Sequence, residues 1–142
     1  MIAFSRSLYD DLVEQAVRED TDEVCGILGG TFGDDHSHVR SIHQTENVAD
    51  EPQTRYAIDP AEQFTVMNTI EEAGDDVVGF YHSHPTGPSY PSGIDHNRAT
   101  WADYSYVIIS LDGHPFVGSW RWNGAAEQFE QEIVAVSGNT EA

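Results

Sequence analysis

"DVVGFYHSHP", residues 76–85, joins an apolar run to two histidines and ends at a proline. The apolar run predicts a buried β-strand, and Pro85 predicts its end because proline cannot donate a ladder hydrogen bond. Side chains at positions i and i+2 of a strand point to the same face, so His82 and His84 would present two imidazoles side by side. The segment therefore predicts a strand that carries a pair of potential metal ligands at its end.

The sequence on both sides of this strand alternates between helical and extended patterns. One helix is predicted after an N-cap at Ser5 or Ser7, and a second after an N-cap at Asp59, with Pro60 at its first position and Gly74 at its end. The faces expected to point inward carry Leu8, Leu12, Val13, Ala16 and Val17 in the first helix, and either Phe64, Met67 and Ile70 or Val66 and Ile70 in the second. Other predicted elements are strands at 2–4, 23–33, 36–44, 104–110 and 115–122, a short helix from Asp95 to about Ala102, and a strand or helix within 127–136.

Interspersed strands and helices indicate the fold class, an α/β (α+β) arrangement of one mixed sheet flanked by helices. No linker divides the 142 residues into two apolar blocks, so a single domain is expected over residues 1–136, followed by a frayed tail at 137–142.

Cys25 is the only cysteine, which excludes an internal disulfide framework; it is expected to be a buried, small apolar residue. The N-terminus has no signal-peptide pattern and the chain has no run of 18 apolar residues, so a soluble, cytoplasmic protein is predicted.

The charge balance is strongly acidic, with 25 Asp and Glu against six Lys and Arg, for a net charge of −19. All six basic residues are arginine. Such a field repels nucleic acid and anionic membranes, so neither is expected as a partner. An aromatic content of 11% argues for a folded protein rather than acidic disorder. High acidity without lysine is typical of proteins adapted to multimolar salt, and a preference for basic partners is the competing explanation.

A second His-Ser-His triplet, at His36 and His38, has the same strand geometry, so the surrounding sequence must distinguish the two. After His84, a proline-containing loop leads to Ser92 and Asp95, and a catalytic zinc site often takes a carboxylate as its third ligand. After His38, the next candidates are Arg40, which repels a cation, and His43, whose odd spacing places it on the other strand face. The sequence therefore favours the first triplet, although Ser92-x-x-Asp95 is also a helix-capping pattern.

The spacing H-S-H-P, six residues, Ser92, two residues, Asp95 resembles the metalloprotease motif of the JAMM (MPN+) family. The stretch "EVCGILGG", residues 23–30, is similar to that family's upstream motif E-x-C-G-x-L-x-G. From spacing alone, Glu23 would be read as part of a solvated acidic loop. The resemblance covers residues 23–109, implies a JAMM/MPN-like (cytidine-deaminase-like) fold, and is strongest to small haloarchaeal members.

The resemblance implies that His82, His84 and Asp95 hold one Zn²⁺ per chain. It further implies that Glu23 is the general base and that Ser92 stabilises the developing oxyanion. The implied activity is a zinc isopeptidase that removes ubiquitin-like modifiers, through their C-terminal Gly-Gly, from substrate lysines.

Two other functions remain open at this point. One is the processing of linear fusions or C-terminal extensions of ubiquitin-like sulfur carriers, and the other is a non-catalytic scaffold domain. A zinc nucleoside deaminase is excluded because H-x-E and P-C-x-x-C are missing. Residues expected to serve packing or the surface are His36, His38, His43, His114, Trp120 and Trp122, while His96 is either such a residue or a neighbour of the metal ligands.

Overall fold

Eight strands and three helices make up the regular structure in the described part of the computed structural model, which comprises residues 1–87, 90–98, 101–112 and 116–138. The strands are β1 (Ile2–Phe4), β2 (Cys25–Thr31), β3 (Ser37–Thr45), β4 (Asp76–His84), β5 (Ser105–Ser110), β6 (Phe116–Asn123), β7 (Gln128–Glu132) and β8 (Val134–Val136). The helices are α1 (Arg6–Arg18), α2 (Pro60–Glu72) and α3 (Gly93–Arg98).

The strands form one sheet in the order β7-β6-β5-β4-β2-β3-β1-β8. Pairing is parallel between β4 and β5 and between β1 and both of its neighbours, and antiparallel in the other pairs. The predicted mixed sheet flanked by helices is therefore confirmed. Strand β4 lies between β2 and β5 and is buried from Val77 to His84, which explains why its sequence is a continuous apolar run.

Both long helices begin where the sequence predicts. The Ser5 hydroxyl accepts a hydrogen bond from the Leu8 amide at 3.3 Å, and the Asp59 carboxylate accepts one from the Ala61 amide at 3.0 Å. Helix α1 contributes Leu12 and Ala16 to one core cluster, whereas α2 contributes Ile70 to a second cluster. Their inward residues thus anchor two separate parts of the core.

Some predicted details are wrong. Phe64 and Val17 are 67% and 51% exposed, so these two positions do not face the core. The other positions predicted to point inward do, namely Leu8, Leu12, Val13 and Ala16 in α1 and Val66, Met67 and Ile70 in α2, which confirms the alternative face of Val66 and Ile70. Helix α3 begins at Gly93 rather than Asp95, and its described part ends at Arg98. The earlier start follows from the capping contacts of Ser92 described below.

The undecided last element is two short strands separated only by Ile133. They pair at opposite edges of the sheet, β7 with β6 and β8 with β1, so the sheet curves round on itself. The domain boundary at residue 136 and the tail at 137–142 stay predictions, and residues 139–142 lie outside the described ranges. Within those ranges, no helix is long and apolar enough to cross a bilayer.

Candidate metal centre

The two histidines of β4 lie at the end of the strand, where pairing with neighbouring strands fixes their direction. His82 pairs with Cys25 of β2 and Ile108 of β5, and His84 pairs with Ser110. Their side chains are 1% and 8% exposed and their ring centroids are 4.9 Å apart. The expectation of two adjacent imidazoles on one face is met.

Asp95 reaches the histidines from the first turn of α3. The Ser92 amide donates to Asp95 Oδ2 at 2.8 Å, and the Asp95 amide donates to Ser92 Oγ at 3.0 Å. This reciprocal pattern is a capping box, so both residues do cap the helix. The same contacts also hold the Asp95 carboxylate toward the histidine pair, and the Ser92 hydroxyl keeps its own proton for a further hydrogen bond.

Three donor atoms converge at this point. Asp95 Oδ2 lies 3.0 Å from His84 Nε2 and 3.2 Å from His82 Nε2, and the two Nε2 atoms are 3.1 Å apart. Tetrahedral zinc with bonds of 2.0–2.1 Å places its ligands about 3.3 Å from one another, so the observed triangle fits such an ion. Imidazole nitrogen and carboxylate oxygen are also the ligands that zinc takes, and these residues could hold it.

Glu23 faces the same point from the residues just before β2. One of its carboxylate oxygens and a ring nitrogen of each histidine all lie within 4.8 Å of one another. Glu23 is 5% exposed, and its Oε1 has no hydrogen-bond partner in the part of the chain that the structure describes. A buried carboxylate oxygen without a partner is costly, and a nearby cation would stabilise the charged form of the carboxylate.

The electrostatics of the ligand set favour a bound cation. Burial would raise the pKa of the Asp95 carboxyl, but His82, His84 and the Ser92 amide together hold it well below its usual range. Burial lowers the pKa of His82, although Asp95 acts in the opposite direction. An ionised carboxylate beside a neutral imidazole is the protonation state that metal binding requires.

Burial raises the pKa of Glu23 to about 8, with His84 opposing this shift and Asp95 adding to it. In the metal-free protein the neutral form is therefore favoured by folding, and this stabilisation is complete below the ordinary value of 4.5 and is lost as the pH rises through about 8.

Glu23→Gln cannot ionise. With chelator present, the stability of the variant relative to wild type should rise progressively from about pH 5 to 8, by at most on the order of 1 kcal/mol per pH unit. Thermal unfolding at several pH values measures this, and a difference independent of pH would contradict it.

Glu23, His84 and Ser92 also line an open cleft of about 270 Å³, with Tyr90 at its exposed rim. The fold thus brings all five predicted site residues together: Glu23, His82, His84, Ser92 and Asp95. A substrate in this cleft would meet the carboxylate, the metal position and the hydroxyl at once.

The alternative triplet does not assemble a site in the described residues. His36 and His38 are exposed and belong to no cluster of metal-donor side chains there. His43 contacts Ser41 Oγ at 2.9 Å, and burial lowers its pKa. The predictions for the side chain of His96 and for His114 fall outside what the structure describes.

Other expectations concern packing residues. Trp120 and Trp122 are both 8% exposed, in agreement with a packing role. Cys25 is fully buried, as expected, and burial raises the pKa of its thiol to about 11, which disfavours the reactive thiolate form.

Two residues that contact the site, Asn47 and Tyr56, were not predicted from the sequence, because the stretch 47–56 is polar and has the pattern of a loop. Tyr56 stacks on His82, and the Asn47 side-chain amide donates to the Glu23 backbone oxygen at 2.9 Å. Neither residue belongs to a recognisable spacing pattern, so only the folded chain reveals them.

The fold and the site define an α+β domain with a histidine, histidine and aspartate cluster beside a buried glutamate. Residues 5–123 match the family described as prokaryotic homologs of the JAB domain, and the chain belongs to this family. It is 42% identical over 123 residues to the desampylase of Haloferax volcanii, covering 87% of this chain and 84% of that one. It is 36% identical over 110 residues to the CysO-cysteine peptidase of Mycobacterium tuberculosis, covering 78% and 73% of the two chains. The solution structure of a Desulfitobacterium hafniense protein superposes with a TM-score of 0.86 at 27% identity, covering 97% of this chain and 94% of that one.

Proposed function

We propose that this chain is a zinc-dependent isopeptidase that removes ubiquitin-like modifier proteins with a C-terminal Gly-Gly from the lysine side chains of their substrates. As a member of the JAB family whose relatives are named desampylase and peptidase, the chain is an enzyme of the metalloprotease type. The observation that carries the proposal is the convergence of two histidines and an aspartate beside a buried glutamate at an open cleft. The desampylase likeness supports the substrate class.

His82, His84 and Asp95 are the residues that would hold the metal. Zinc at this position supplies a Lewis acid that polarises a carbonyl and makes water more acidic. The three side chains would fix the position of the ion because each comes from a defined element: the end of β4 for the histidines and the first turn of α3 for the aspartate. The cleft leaves room for the scissile amide beside it.

Glu23 is the proposed general base. Its carboxylate takes a proton from the attacking water and delivers that proton to the departing lysine amine, so that hydrolysis ends with a glycine carboxylate and a free amine. Burial raises its pKa to about 8, near neutral pH, which suits a group that must accept and then release a proton. The metal would shift this pKa downward, towards the charged form that is needed at the start.

Ser92 is the proposed donor to the oxyanion that develops on the scissile carbonyl. Ser92→Ala should lower kcat about 100-fold, since one such donor contributes about 3 kcal/mol, and Ser92→Thr should restore most of it because the hydroxyl remains. Loss of the cap alone would cost about 1 kcal/mol of stability and leave kcat little changed in the folded enzyme. Steady-state kinetics with parallel thermal unfolding separates the two roles, and an unchanged kcat in Ser92→Ala would leave capping as the only role of this side chain.

The partners proposed are ubiquitin-like modifiers and their conjugates, in the cytoplasm. Gly-Gly suits the cleft because residues without side chains can lie close to a metal site and its flanking backbone. The net charge of −19 favours conjugates whose substrate half is basic.

Processing of C-terminal extensions is the second candidate. It is favoured by the likeness to a peptidase that is named for acting on CysO-cysteine. The scissile bond is then a main-chain amide after the terminal glycine, but the roles of the five site residues are unchanged.

The experiment compares two substrates of one Gly-Gly-terminated ubiquitin-like protein, a lysine-linked conjugate and a linear C-terminal extension, in multimolar salt with and without chelator. Release from the conjugate only when metal is present supports the isopeptidase. Release from the extension alone moves the assignment to the second candidate. A folded, zinc-loaded protein that cleaves neither contradicts both and favours a scaffold.

A further inference from the structure

Within the described residues, His82 has no partner for the contact that usually orients a metal-binding histidine. Its Nε2 points to Asp95 and His84, while the buried Nδ1 has no hydrogen-bond partner among the described residues. Histidine ligands ordinarily donate a hydrogen bond from the second ring nitrogen to a carboxylate or carbonyl, which fixes the orientation of the ring. Among the described residues, the Nδ1 side of the His82 ring is therefore held by packing alone.

Tyr56 supplies a packing surface of the right kind. Its ring is stacked on the His82 imidazole, with centroids 4.4 Å apart and planes inclined by 24°. Tyr56 also forms a wall between two spaces, since it lines a small enclosed cavity with His82 and Asp95 and an open groove with Phe80 and Trp101. The stacked face prevents the imidazole from tilting toward the groove.

The backbone around Tyr56 is held by one side chain. Asn47 Nδ2 donates to the oxygens of Arg55 at 3.1 Å and Glu23 at 2.9 Å, and Asn47 Oδ1 accepts from the amides of Ala57 at 3.1 Å and Ala49 at 3.0 Å. The residues on either side of Tyr56 are therefore tied to the backbone of Glu23. A single amide couples the stacking ring to the proposed general base.

We propose that Tyr56 is a positioning residue for the metal site: its ring, held by the Asn47 amide, orients His82 by stacking in place of the usual hydrogen bond to the second ring nitrogen. The inference rests on the proposed function, because it takes His82 as a ligand. It assigns a role in the site to two residues, Asn47 and Tyr56, that lie outside both sequence motifs. The phenol hydroxyl is not needed for this role.

The test measures metal binding without substrate, using Zn²⁺ affinity by competition with a chromogenic chelator and the visible absorption of the Co²⁺-loaded protein. Tyr56→Leu should weaken Zn²⁺ binding about 10- to 100-fold, as changes beside a ligand do, and should alter the Co²⁺ spectrum. Tyr56→Phe keeps the ring and should match wild type in both. Tyr104→Leu is the matched control, because Tyr104 is a half-buried tyrosine stacked on Trp101 at 5.7 Å rather than on a histidine.

The inference would be overturned if a folded Tyr56→Leu had the Zn²⁺ affinity and Co²⁺ spectrum of wild type. It would also be overturned if Tyr56→Phe and Tyr104→Leu lost as much Zn²⁺ affinity as Tyr56→Leu. If wild type itself binds neither ion, the proposed function fails and the inference fails with it. If wild type binds metal but cleaves no conjugate, the positioning role is still tested by the same readouts. As a single substitution, Asn47→Ala should weaken Zn²⁺ binding, whereas in the Tyr56→Leu variant it should weaken binding little further. Additive losses of Zn²⁺ affinity in the double variant would overturn the role assigned to Asn47.

Discussion

Glu23→Gln is expected to lower the kcat of the zinc-loaded enzyme by about 10²- to 10⁴-fold. Glutamine has the same shape as glutamate but cannot accept the proton of the attacking water. Glu23 Oε1 makes no hydrogen bond to the described residues, so the substitution removes no structural contact of that atom. The measurement is steady-state cleavage of a lysine-linked conjugate, with metal content determined on the same samples.

Asp22→Asn is the matched control for this variant. It removes one negative charge at the adjacent position, where the side chain is half-buried and is not among the residues that line the cleft. Wild-type kcat is expected for Asp22→Asn. If Glu23→Gln kept more than about a tenth of wild-type kcat, another group would have to be the base. If it lost its metal as well, Glu23 would have to be counted among the ligands.

Asp95→Asn should weaken Zn²⁺ binding by more than about 100-fold, because it replaces an anionic ligand with a neutral one. Substitution of a residue that only contacts a ligand already lowers metal affinity about 10- to 100-fold. Activity should be lost at stoichiometric zinc and recover in part at excess zinc. The neutral side-chain amide oxygen can still accept a hydrogen bond from the Ser92 backbone amide, so helix capping is preserved. Isothermal titration with Zn²⁺ and an activity titration against free zinc give the two values.

Asp59→Asn is the control for helix capping. Asp59 caps α2 through the Ala61 amide and is exposed, so the substitution repeats the chemical change at a site without histidines. Both variants should fold, and only Asp95→Asn should lose affinity for zinc. Equal zinc affinity in Asp95→Asn and wild type would exclude Asp95 as a ligand and leave the histidines with Glu23 as the candidate set.

The sequence by itself determined the parts of this protein that depend on neighbouring positions. A strand repeats every two residues, so His82 and His84 had to share a face wherever the strand was placed. Ser92 and Asp95 are three residues apart, which is the spacing of a capping box, and the structure has both of its hydrogen bonds. The starts of α1 and α2 followed from Ser5 and Asp59 for the same local reason.

Only the tertiary structure decided what depends on burial and on distant pairing. Glu23 reaches the histidines because β2 pairs with β4, and its raised pKa comes from desolvation, which no local pattern encodes. The outward position of Phe64 and the split of the last element between opposite sheet edges were likewise set by packing of the whole sheet. Asn47 and Tyr56 are ordinary loop residues in the sequence, and their contacts with Glu23 and His82 exist only once the sheet brings these segments together.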